Sequence, residues 1–205
     1  MKSKKWKELA SELILKTPFF KFFRKDFRRP DGVVIKDYYL MEKPDSVHII
    51  AFTKDKKIVL IKHYRPGLGD ISIELPAGSV GSNETPESAA LRELFEETGY
   101  FAGNLSEISD FSQDTSRFVG VSCHLFLAWD LQKFESRISL QEDQEIEIIE
   151  VTPSEAIEMV RKRQIKDLPT IAGILLSRLF YLPLSVRFVR VSLVSSLKGE
   201  NDEKG

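Results

Sequence analysis

The chain has 205 residues, 42% of them hydrophobic, and a formal net charge of −1 at pH 7. This length and composition fit one globular domain with small additions, and the balanced charge gives no reason to expect nucleic acid as a partner. The single cysteine, Cys123, excludes an internal disulfide framework and fits a reducing cytoplasm. Because no apolar run approaches the roughly 20 residues that cross a bilayer, we expect no membrane span and a soluble cytoplasmic protein.

The N-terminal segment is the most basic part of the chain. Residues 1–30 carry ten Lys or Arg against three acidic residues. Trp6, Leu9 and Leu13 recur near helical spacing, which predicts a short amphipathic helix over Lys5–Lys16. A basic, aromatic helix of this kind can bind a membrane surface, but the charge pattern favours an arm that covers this domain or a second subunit.

A turn follows this segment. Pro30, Asp31 and Gly32 separate two strand-prone runs and predict a hairpin. We therefore expect residues 1–45 to form an N-terminal arm or small sheet, a candidate dimerisation element, ahead of the main domain at 46–182.

The main domain alternates strand and helix signals. Six β-prone runs predict strands, and Lys54–Lys56 between the first two predicts a second hairpin. The predicted strands are Val47–Thr53, Lys57–His63, Ile71–Leu75, Ser106–Ser112, Ser122–Trp129 and Glu145–Val151. Two segments predict helices, Pro153–Arg163 behind an N-cap at Thr152, and Leu168–Leu179. A mixed sheet packed between helices, an α/β sandwich, accommodates this order.

The C-terminal extension, 183–205, differs in character from the main domain. Leu184–Leu197 is β-prone and partly alternating, which predicts an additional edge strand or an interaction segment. The polar end, Gly199–Gly205, is predicted to be disordered.

One motif dominates the middle of the chain. From Gly78 to Tyr100 the sequence follows G-x5-E-x7-R-E-U-x-E-E-x-G-U without a gap, where U is apolar or aromatic. Its fixed identities are Gly78, Glu84, Arg92, Glu93, Glu96, Glu97 and Gly99. Thr85 as the N-cap, Pro86 at the first helical position and Gly99 just after the end predict a helix between them.

This helix places acidic side chains together. Glu93 and Glu97 are i,i+4 neighbours, and Glu96 lies on the adjoining row. Because the carboxylates repel each other, a cation is required, and clustered carboxylate oxygens suit Mg²⁺ or Mn²⁺. Arg92 can reach Glu96 one turn on and orient its carboxylate. The alternative is an acidic face that is merely solvated, which the glycine loop in register with Arg92 disfavours. The face predicted to pack against a sheet consists of Ala90, Leu91, Leu94 and, at its edge, Phe95.

The motif resembles the Nudix box, so the chain resembles the Nudix hydrolases, which split a nucleoside diphosphate linked to another group. The resemblance implies an α-β-α sandwich with a mixed sheet, in which a divalent metal assists the attack of water on phosphorus. It implies Glu93 and Glu97 as the principal metal ligands and Glu96 as a further ligand. The backbone carbonyl of Ala77 would be another ligand, and Glu84 an outer ligand or a loop anchor.

Features outside the box resemble the ADP-ribose and nucleotide-sugar pyrophosphatase branch of that family. These features are Trp6-x-x-Leu9, the Pro30–Gly32 turn, Ile61–Arg65, Glu74–Gly78 and Gln164–Asp167. The resemblance implies a nucleotide substrate, ADP-ribose first, with AMP and ribose phosphate as products, and a homodimer.

The same resemblance implies substrate-binding residues. Arg65 would pair with a phosphate through its guanidinium fork, and Glu74 would support the site or the nucleotide. Gly78 would let its loop pass close to the ligand. Trp6 and either Arg28 or Arg29 would contact the base or ribose by stacking and cation–π attraction. The alternatives are that Arg65 lies along the surface and that Trp6 has a packing role.

Two positions depart from the pattern of the branch. Val121 stands where the branch has a glutamate in the loop before its His-x-Phe-x-Ala strand. Gln144 stands where the branch places a water-activating or metal-binding glutamate. Since an amide is not a useful proton acceptor, Glu142 or Glu145 is predicted as the base, the alternative being that these acids only solvate a loop.

Other functions stay open at this point, because the residues of the box would contact phosphate and metal and do not select the group attached to the phosphates. The substrate could instead be a nucleoside triphosphate, NADH or a dinucleotide. A function of a different class is a nucleotide-sensing binding module. The intact Glu93, Glu96 and Glu97 argue against that class, since a sensor has less need of a metal cluster.

Overall fold

A computed structural model describes residues 4–112, 115–119, 121–134 and 145–180. The strands are β1 (Lys7–Lys16), β2 (Lys21–Arg28), β3 (Val34–Glu42), β4 (Ser46–Ala51), β5 (Ile58–Arg65), β6 (Asp70–Glu74), β7 (Ala77–Ser79), β8 (Tyr100–Phe111), β9 (Cys123–Lys133) and β10 (Glu147–Val151). The helices are α1 (Pro86–Thr98), α2 (Pro153–Arg161) and α3 (Leu168–Phe180). The predictions for Leu184–Leu197 and Gly199–Gly205 lie outside the described residues.

Two sheets form the centre of the molecule. One has the order β7-β4-β9-β8, and it is mixed because β4 runs parallel to β9 while the other pairs are antiparallel. The second is an antiparallel sheet of order β10-β5-β6. Helices pack against these sheets, so the predicted α/β sandwich with a mixed sheet is confirmed. None of the described helices is long and apolar enough to cross a membrane.

The side chains of β4 alternate between two hydrophobic clusters. Val47 and Ile49 lie in the cluster that includes Leu94 of α1. Ile50 lies in the cluster that includes Ile174 of α3. Because successive side chains of a strand point to opposite faces, β4 holds α1 on one side of the sheet and α3 on the other. The single cysteine, Cys123, is fully buried.

The prediction of a helix over Lys5–Lys16 is wrong, since this segment forms β1. It pairs antiparallel with β2, and Glu8 accepts from Lys25 Nζ at 2.9 Å. Register shifts occur at Leu9 and Ile14, and each inserts a residue that interrupts strict alternation. The apolar residues therefore recur near helical spacing although the backbone is extended, and pairing across strands outweighs the local pattern.

The predicted hairpin around Pro30–Gly32 is confirmed. Gly32 adopts a φ of 88°, and Arg29 N–H donates to Val33 O at 2.8 Å. The turn joins β2 to β3, so the N-terminal segment is a three-stranded antiparallel sheet of order β1-β2-β3.

The predicted hairpin at Lys54–Lys56 is wrong. The turn itself exists, but β4 and β5 belong to different sheets and only Phe52 and Ile58 form a bridge between the flanking segments. Both edges of β4 are already occupied, by β7 and by β9, so β5 has no edge on which to pair.

Segment 115–119 fastens the N-terminal sheet to the main domain. Met41 N–H donates to Arg117 O at 2.8 Å, and Val119 N–H donates to Met41 O at 2.9 Å. The hydroxyl of Tyr38 donates to Ser116 O at 2.8 Å. These bonds run from β3 to the segment that precedes β9, so the two parts of the chain are joined through backbone contacts.

Candidate active site

Helix α1 begins and ends where the sequence predicts. Thr85 is the N-cap: its Oγ1 accepts from Ser88 N–H at 3.2 Å, and Ser88 Oγ accepts from Thr85 N–H at 3.0 Å. Gly99 closes the helix with a φ of 72°, and its N–H donates to Phe95 O at 2.8 Å. A left-handed residue at this position favours glycine, which explains its place in the motif.

The buried face of α1 differs from the prediction at one residue. Ala90 and Leu94 are buried as expected, together with Ala89. Leu91 is 42% exposed, so its assignment to the packed face is wrong. Phe95 instead packs on the Phe101 ring at a centroid distance of 4.2 Å. The helix lies on the sheet with the Ala89–Ala90 side, which turns Leu91 towards solvent.

Arg92 is the organising residue of the acidic cluster. Its Nε and Nη2 donate to the two oxygens of Glu84, at 2.9 Å each. Its Nη1 donates to Glu93 Oε1 at 2.7 Å and to Glu96 Oε2 at 3.0 Å. Its Nη2 also donates to Ser79 O at 3.1 Å. The guanidinium thus makes five hydrogen bonds, as many as it has N–H groups.

Glu84 ties the loop before α1 to the helix. Its pairing with Arg92 lowers the pKa of the Glu84 carboxyl, and Gly81 N–H donates to its Oε2 at 3.1 Å. The structure therefore shows Glu84 in the position of a loop anchor, which is one of the two roles that the resemblance implied.

Glu93 lies directly against the backbone of β7. A Cβ built on Gly78 would fall 2.0 Å from Glu93 Oε1, so a larger residue would displace the carboxylate. Glu93 is buried, and this burial raises the pKa of its carboxyl even though Arg92 acts in the opposite direction.

Glu97 is held by the same short strand. Ala77 N–H donates to Glu97 Oε2 at 2.9 Å. Burial raises the pKa of Glu97 to about 8, assisted by the charge of Glu93, while the Ala77 hydrogen bond and Arg65 oppose the rise. Burial thus destabilises the charged form of the Glu93 and Glu97 carboxylates, and a bound cation would stabilise that form.

Arg65 and Glu74 form a second ionic unit on β5 and β6. Arg65 Nε donates to Glu74 Oε1 at 3.1 Å and Nη2 donates to Oε2 at 2.6 Å, which is the fork-to-carboxylate geometry. His63 Nε2 lies 3.3 Å from the same Oε2. Burial alone would raise the pKa of Glu74, but hydrogen bonds from Arg65 and Ser72 outweigh it and lower the pKa to about 2.

The end of β6 is supported from α3 through contacts that the sequence analysis missed. Leu75 N–H donates to the buried Thr170 Oγ1 at 2.9 Å. Asp167 caps the helix, because its Oδ2 accepts from Thr170 N–H at 2.9 Å and from Thr170 Oγ1 at 2.6 Å. The Asp-x-x-Thr spacing at the start of a helix was the available signal. These bonds tie α3 to the residue that follows Glu74.

The acidic residues supply only oxygen donors, which fits a hard divalent cation. Within the described ranges, however, no three His, Cys, Asp or Glu side chains are arranged around a common point in a way that could hold a metal. Arg92 donates to Glu93 and Glu96, and Ala77 N–H donates to Glu97. By their chemistry, these residues fit a hard divalent cation.

The other predicted site residues lie apart from this cluster. Trp6 precedes β1 and Arg28 ends β2, in the N-terminal sheet rather than in the sheets that carry the box. Trp6 is 47% exposed and contacts the edge of Phe27 at a centroid distance of 6.4 Å. Glu145 is exposed just before β10, and Glu142 and Gln144 lie outside the described residues.

Comparison with known proteins shows the family. The NUDIX domain matches residues 42–172. An ADP-ribose pyrophosphatase of Bacillus subtilis is 35% identical over 170 residues, which cover 83% of this chain and 91% of that protein. The methanol dehydrogenase activator of Bacillus methanolicus is 32% identical over 168 residues, covering 82% of this chain and 90% of that protein. An ADP-sugar pyrophosphatase of Mus musculus is 50% identical over 110 residues, which cover 49% of this chain and 50% of that protein.

The fold agrees with this result. A crystal structure of an ADP compounds hydrolase superimposes with a TM-score of 0.76 at 21% sequence identity, covering 88% of this chain and 96% of that one. At that identity the likeness establishes the fold alone. From the matched domain and the relatives, the chain belongs to the Nudix family and is a Nudix hydrolase.

Proposed function

We propose that the protein hydrolyses the pyrophosphate bond of an ADP-sugar, ADP-ribose first, releasing AMP and ribose phosphate. The observation that carries this proposal is the placement of the Arg65 guanidinium beside the acidic helix. Arg65 is held by Glu74 in a bidentate pair and lies close enough to Glu97 for its charge to act on that carboxyl. A fixed cationic fork next to metal-type carboxylates suits a substrate that presents two linked phosphates. The ADP-ribose and ADP-sugar pyrophosphatases among the relatives support the choice of sugar nucleotide.

A divalent cation, Mg²⁺ or Mn²⁺, belongs to this proposal. Glu93 and Glu97 would hold it, with Glu96 and the carbonyl of Ala77 as further ligands. The cation supplies neutralisation of phosphate charge and a lowered pKa for the attacking water. The chain's own contribution is orientation: Arg92 keeps the Glu93 and Glu96 carboxylates on one side of α1.

We assign the proton acceptor to the loop before β10, with Glu145 or Glu142 as the base. The antiparallel register pairs Glu147 with Lys62, and Lys62 Nζ lies 2.9 Å from Glu147 Oε1. Glu145 precedes β10 by two residues and is exposed, and β10 pairs with β5, the strand that ends at Arg65.

We also propose a homodimer that the N-terminal sheet builds, with Trp6 and Arg28 contacting the base or ribose of the partner's substrate. All ten residues of β1 are exposed, including Leu13 at 49% and Leu15 at 48%. Leu13 and Leu15 face opposite sides of the sheet, since they pair with Phe23 and Phe22 of β2. A second copy of the chain packed on one of these faces would remove its apolar surface from water.

The test is a substrate panel. The purified protein is incubated with Mg²⁺ or Mn²⁺ and with ADP-ribose, ADP-glucose, GDP-mannose, NADH, ATP and a diadenosine polyphosphate, and the products are separated by chromatography. We expect AMP and ribose phosphate to form fastest. A protein that cleaves ATP or NADH faster than every ADP-sugar contradicts the substrate assignment but leaves the hydrolase assignment intact.

A second candidate function follows from the Bacillus methanolicus relative, whose name describes activation of another enzyme. In that case the protein would bind a nucleotide and act on a partner enzyme. Calorimetric titration with ADP-ribose distinguishes the two candidates: tight binding without turnover in the presence of Mg²⁺ supports the second, and turnover supports the first.

A further inference from the structure

The short connection from β6 to β7, residues 74–77, joins the two parts of the proposed site. Glu74 ends β6 and accepts both bonds of the Arg65 fork, at 3.1 Å and 2.6 Å. Ala77 begins β7, and its N–H donates to Glu97 at 2.9 Å. A displacement of this connection would therefore move the carboxylate that holds the proposed phosphate-binding guanidinium.

The middle of this connection is anchored on α3. Leu75 lies beyond the last paired residue of β6, and its N–H donates to Thr170 Oγ1 at 2.9 Å. Both residues are fully buried. Because a buried N–H that loses its acceptor destabilises the conformation, removal of the hydroxyl would favour a backbone position in which the Leu75 N–H finds another partner.

The partners of the Thr170 hydroxyl fix its direction. The N–H of Leu75 can only donate, whereas Asp167 Oδ2 accepts from Thr170 Oγ1 at 2.6 Å. The hydroxyl proton is therefore directed at Asp167, and a lone pair of the oxygen is directed at Leu75. Asp167 Oδ2 also accepts from Thr170 N–H at 2.9 Å, so the first turn of α3 holds the side chain in this orientation.

A glycine lets α3 lie close enough for this contact. Gly173 follows Thr170 by one turn, and a Cβ built on it would fall 2.7 Å from Leu75 Cδ1 and 3.2 Å from Ile50 Cγ1. Ile174 belongs to the same hydrophobic cluster as Leu75. The position of α3 is thus set by packing of the core, and we expect the helix to stay in place when the hydroxyl alone is removed.

We propose that Thr170 is a positioning residue for substrate binding: its hydroxyl holds the peptide group between Glu74 and Leu75, and through Glu74 it fixes the guanidinium of Arg65. This rests on the proposed function, in which Arg65 binds a phosphate. The N–H of Leu75 belongs to the planar peptide group that begins at Glu74, so a rotation of that plane changes the backbone of Glu74. Since Glu74 accepts both bonds of the fork, its displacement is passed on to Arg65.

The test removes the hydroxyl and keeps the shape of the side chain. Thr170→Val lacks the acceptor, Thr170→Ser keeps it, and Thr170→Cys introduces a weak acceptor. The control is Ser177→Ala on the same helix, since Ser177 is buried and its hydroxyl donates to Ile174 O at 2.8 Å within α3. Steady-state kinetics with ADP-ribose at saturating Mg²⁺ give KM and kcat separately.

We expect Thr170→Val to raise KM about fivefold with kcat unchanged, because the loss of binding that substrate and transition state share raises KM alone. Thr170→Cys should raise KM about twofold, as a thiol accepts more weakly than a hydroxyl. Thr170→Ser and Ser177→Ala should leave KM unchanged. If Thr170→Val does not fold, Thr170→Cys takes its place in each comparison.

A double variant separates positioning from a general loss of stability. Combined with Arg65→Lys, Thr170→Val should raise KM by less than about twofold more, since both changes act on the same guanidinium. An unchanged KM in Thr170→Val, or a rise of the same size with and without Arg65→Lys, overturns the positioning role.

A second measurement needs no substrate. The Arg65 Nε–H signal, identified in nitrogen–proton NMR spectra by its loss in Arg65→Lys, reports the bond to Glu74. We expect its exchange with water to be faster in Thr170→Val than in the wild type, and unchanged in Ser177→Ala. Equal exchange in all three proteins overturns the role of Thr170. Faster exchange in Thr170→Val, in a protein whose wild type does not cleave ADP-ribose, supports the action of Thr170 on Arg65 and overturns the proposed substrate.

Discussion

The buried carboxylate of Glu93 in α1 packs directly against Gly78 of β7, in the position that a Cβ at residue 78 would occupy. The obstacle to a larger residue is the end of a flexible side chain, so a substitution would move the carboxylate rather than break the fold. The glycine is therefore tied to the position of a proposed metal ligand.

Gly78→Ala should lower kcat by roughly 100-fold or more, because Glu93 must leave its position, while the melting temperature changes little. Steady-state kinetics with ADP-ribose and thermal unfolding measure the two effects. Gly67→Ala is the matched control, since a Cβ there meets no atom within 4 Å. Full activity of Gly78→Ala would show that the position of Glu93 does not matter for turnover.

Glu97→Gln should reduce turnover by roughly 100-fold or more with the fold preserved, because the amide keeps the shape but is a poor metal ligand. Titration with Mg²⁺ should raise the melting temperature of the wild type and not that of the variant. Equal stabilisation of both proteins by Mg²⁺ would place the cation elsewhere.

The stability of the metal-free protein should fall as pH rises. The folded state raises the pKa of Glu97 from 4.5 to about 8, so between these values the folded chain keeps a proton that the unfolded chain has released. The unfolded state binds fewer protons there, and the free energy of unfolding therefore decreases with pH. Urea unfolding between pH 5 and about 8.5 in EDTA measures this slope. Mg²⁺ or Glu97→Gln should flatten it, and an unchanged slope in the variant would assign it to other groups.

Arg65→Lys should raise KM for ADP-ribose about tenfold although the charge is retained, because lysine lacks the fork that pairs with Glu74 and with phosphate. Kinetics at saturating Mg²⁺ give the KM and kcat values separately. Arg161→Lys on α2 is the control, since Arg161 pairs with Glu158 on an exposed surface. Equal KM values for Arg65→Lys and Arg161→Lys would show that the guanidinium of Arg65 does not bind the substrate.

Leu13→Glu should weaken the proposed dimer by placing a charge on the apolar surface of β1. Light scattering across a range of protein concentrations measures the mass, and the expected result is a shift from dimer to monomer. Leu179→Glu is the control, because Leu179 is 70% exposed on α3, away from the N-terminal sheet. A wild type that is monomeric at all concentrations rejects the dimer.

Local patterns predicted the box helix well. Its boundaries depend on groups within a few residues of each other, the cap at Thr85, Pro86 and the left-handed Gly99, so neighbouring residues carry all the information needed. The contact of Arg92 with Glu96, one turn apart, was predictable for the same reason.

Local patterns failed where partners come from far along the chain. The spacing of Trp6, Leu9 and Leu13 suggested a helix, but β2 offered an edge and the segment became a strand. The prediction of a hairpin at Lys54–Lys56 was wrong because β9, more than 60 residues later, pairs with the edge of β4. A short stretch of sequence does not contain either pairing partner.

The amino-acid sequence by itself determined the class of chemistry, because the acidic helix, its caps and the glycine loop are encoded within one continuous stretch. Only the tertiary structure decided which side chains from distant parts of the chain come together near that stretch. Arg65 meets Glu74 across two paired strands, His48 meets Ala77 across two others, and Thr170 holds Leu75 from a helix 95 residues away. Those contacts depend on how sheets and helices stack, and stacking is set by burial of the whole core rather than by any single segment.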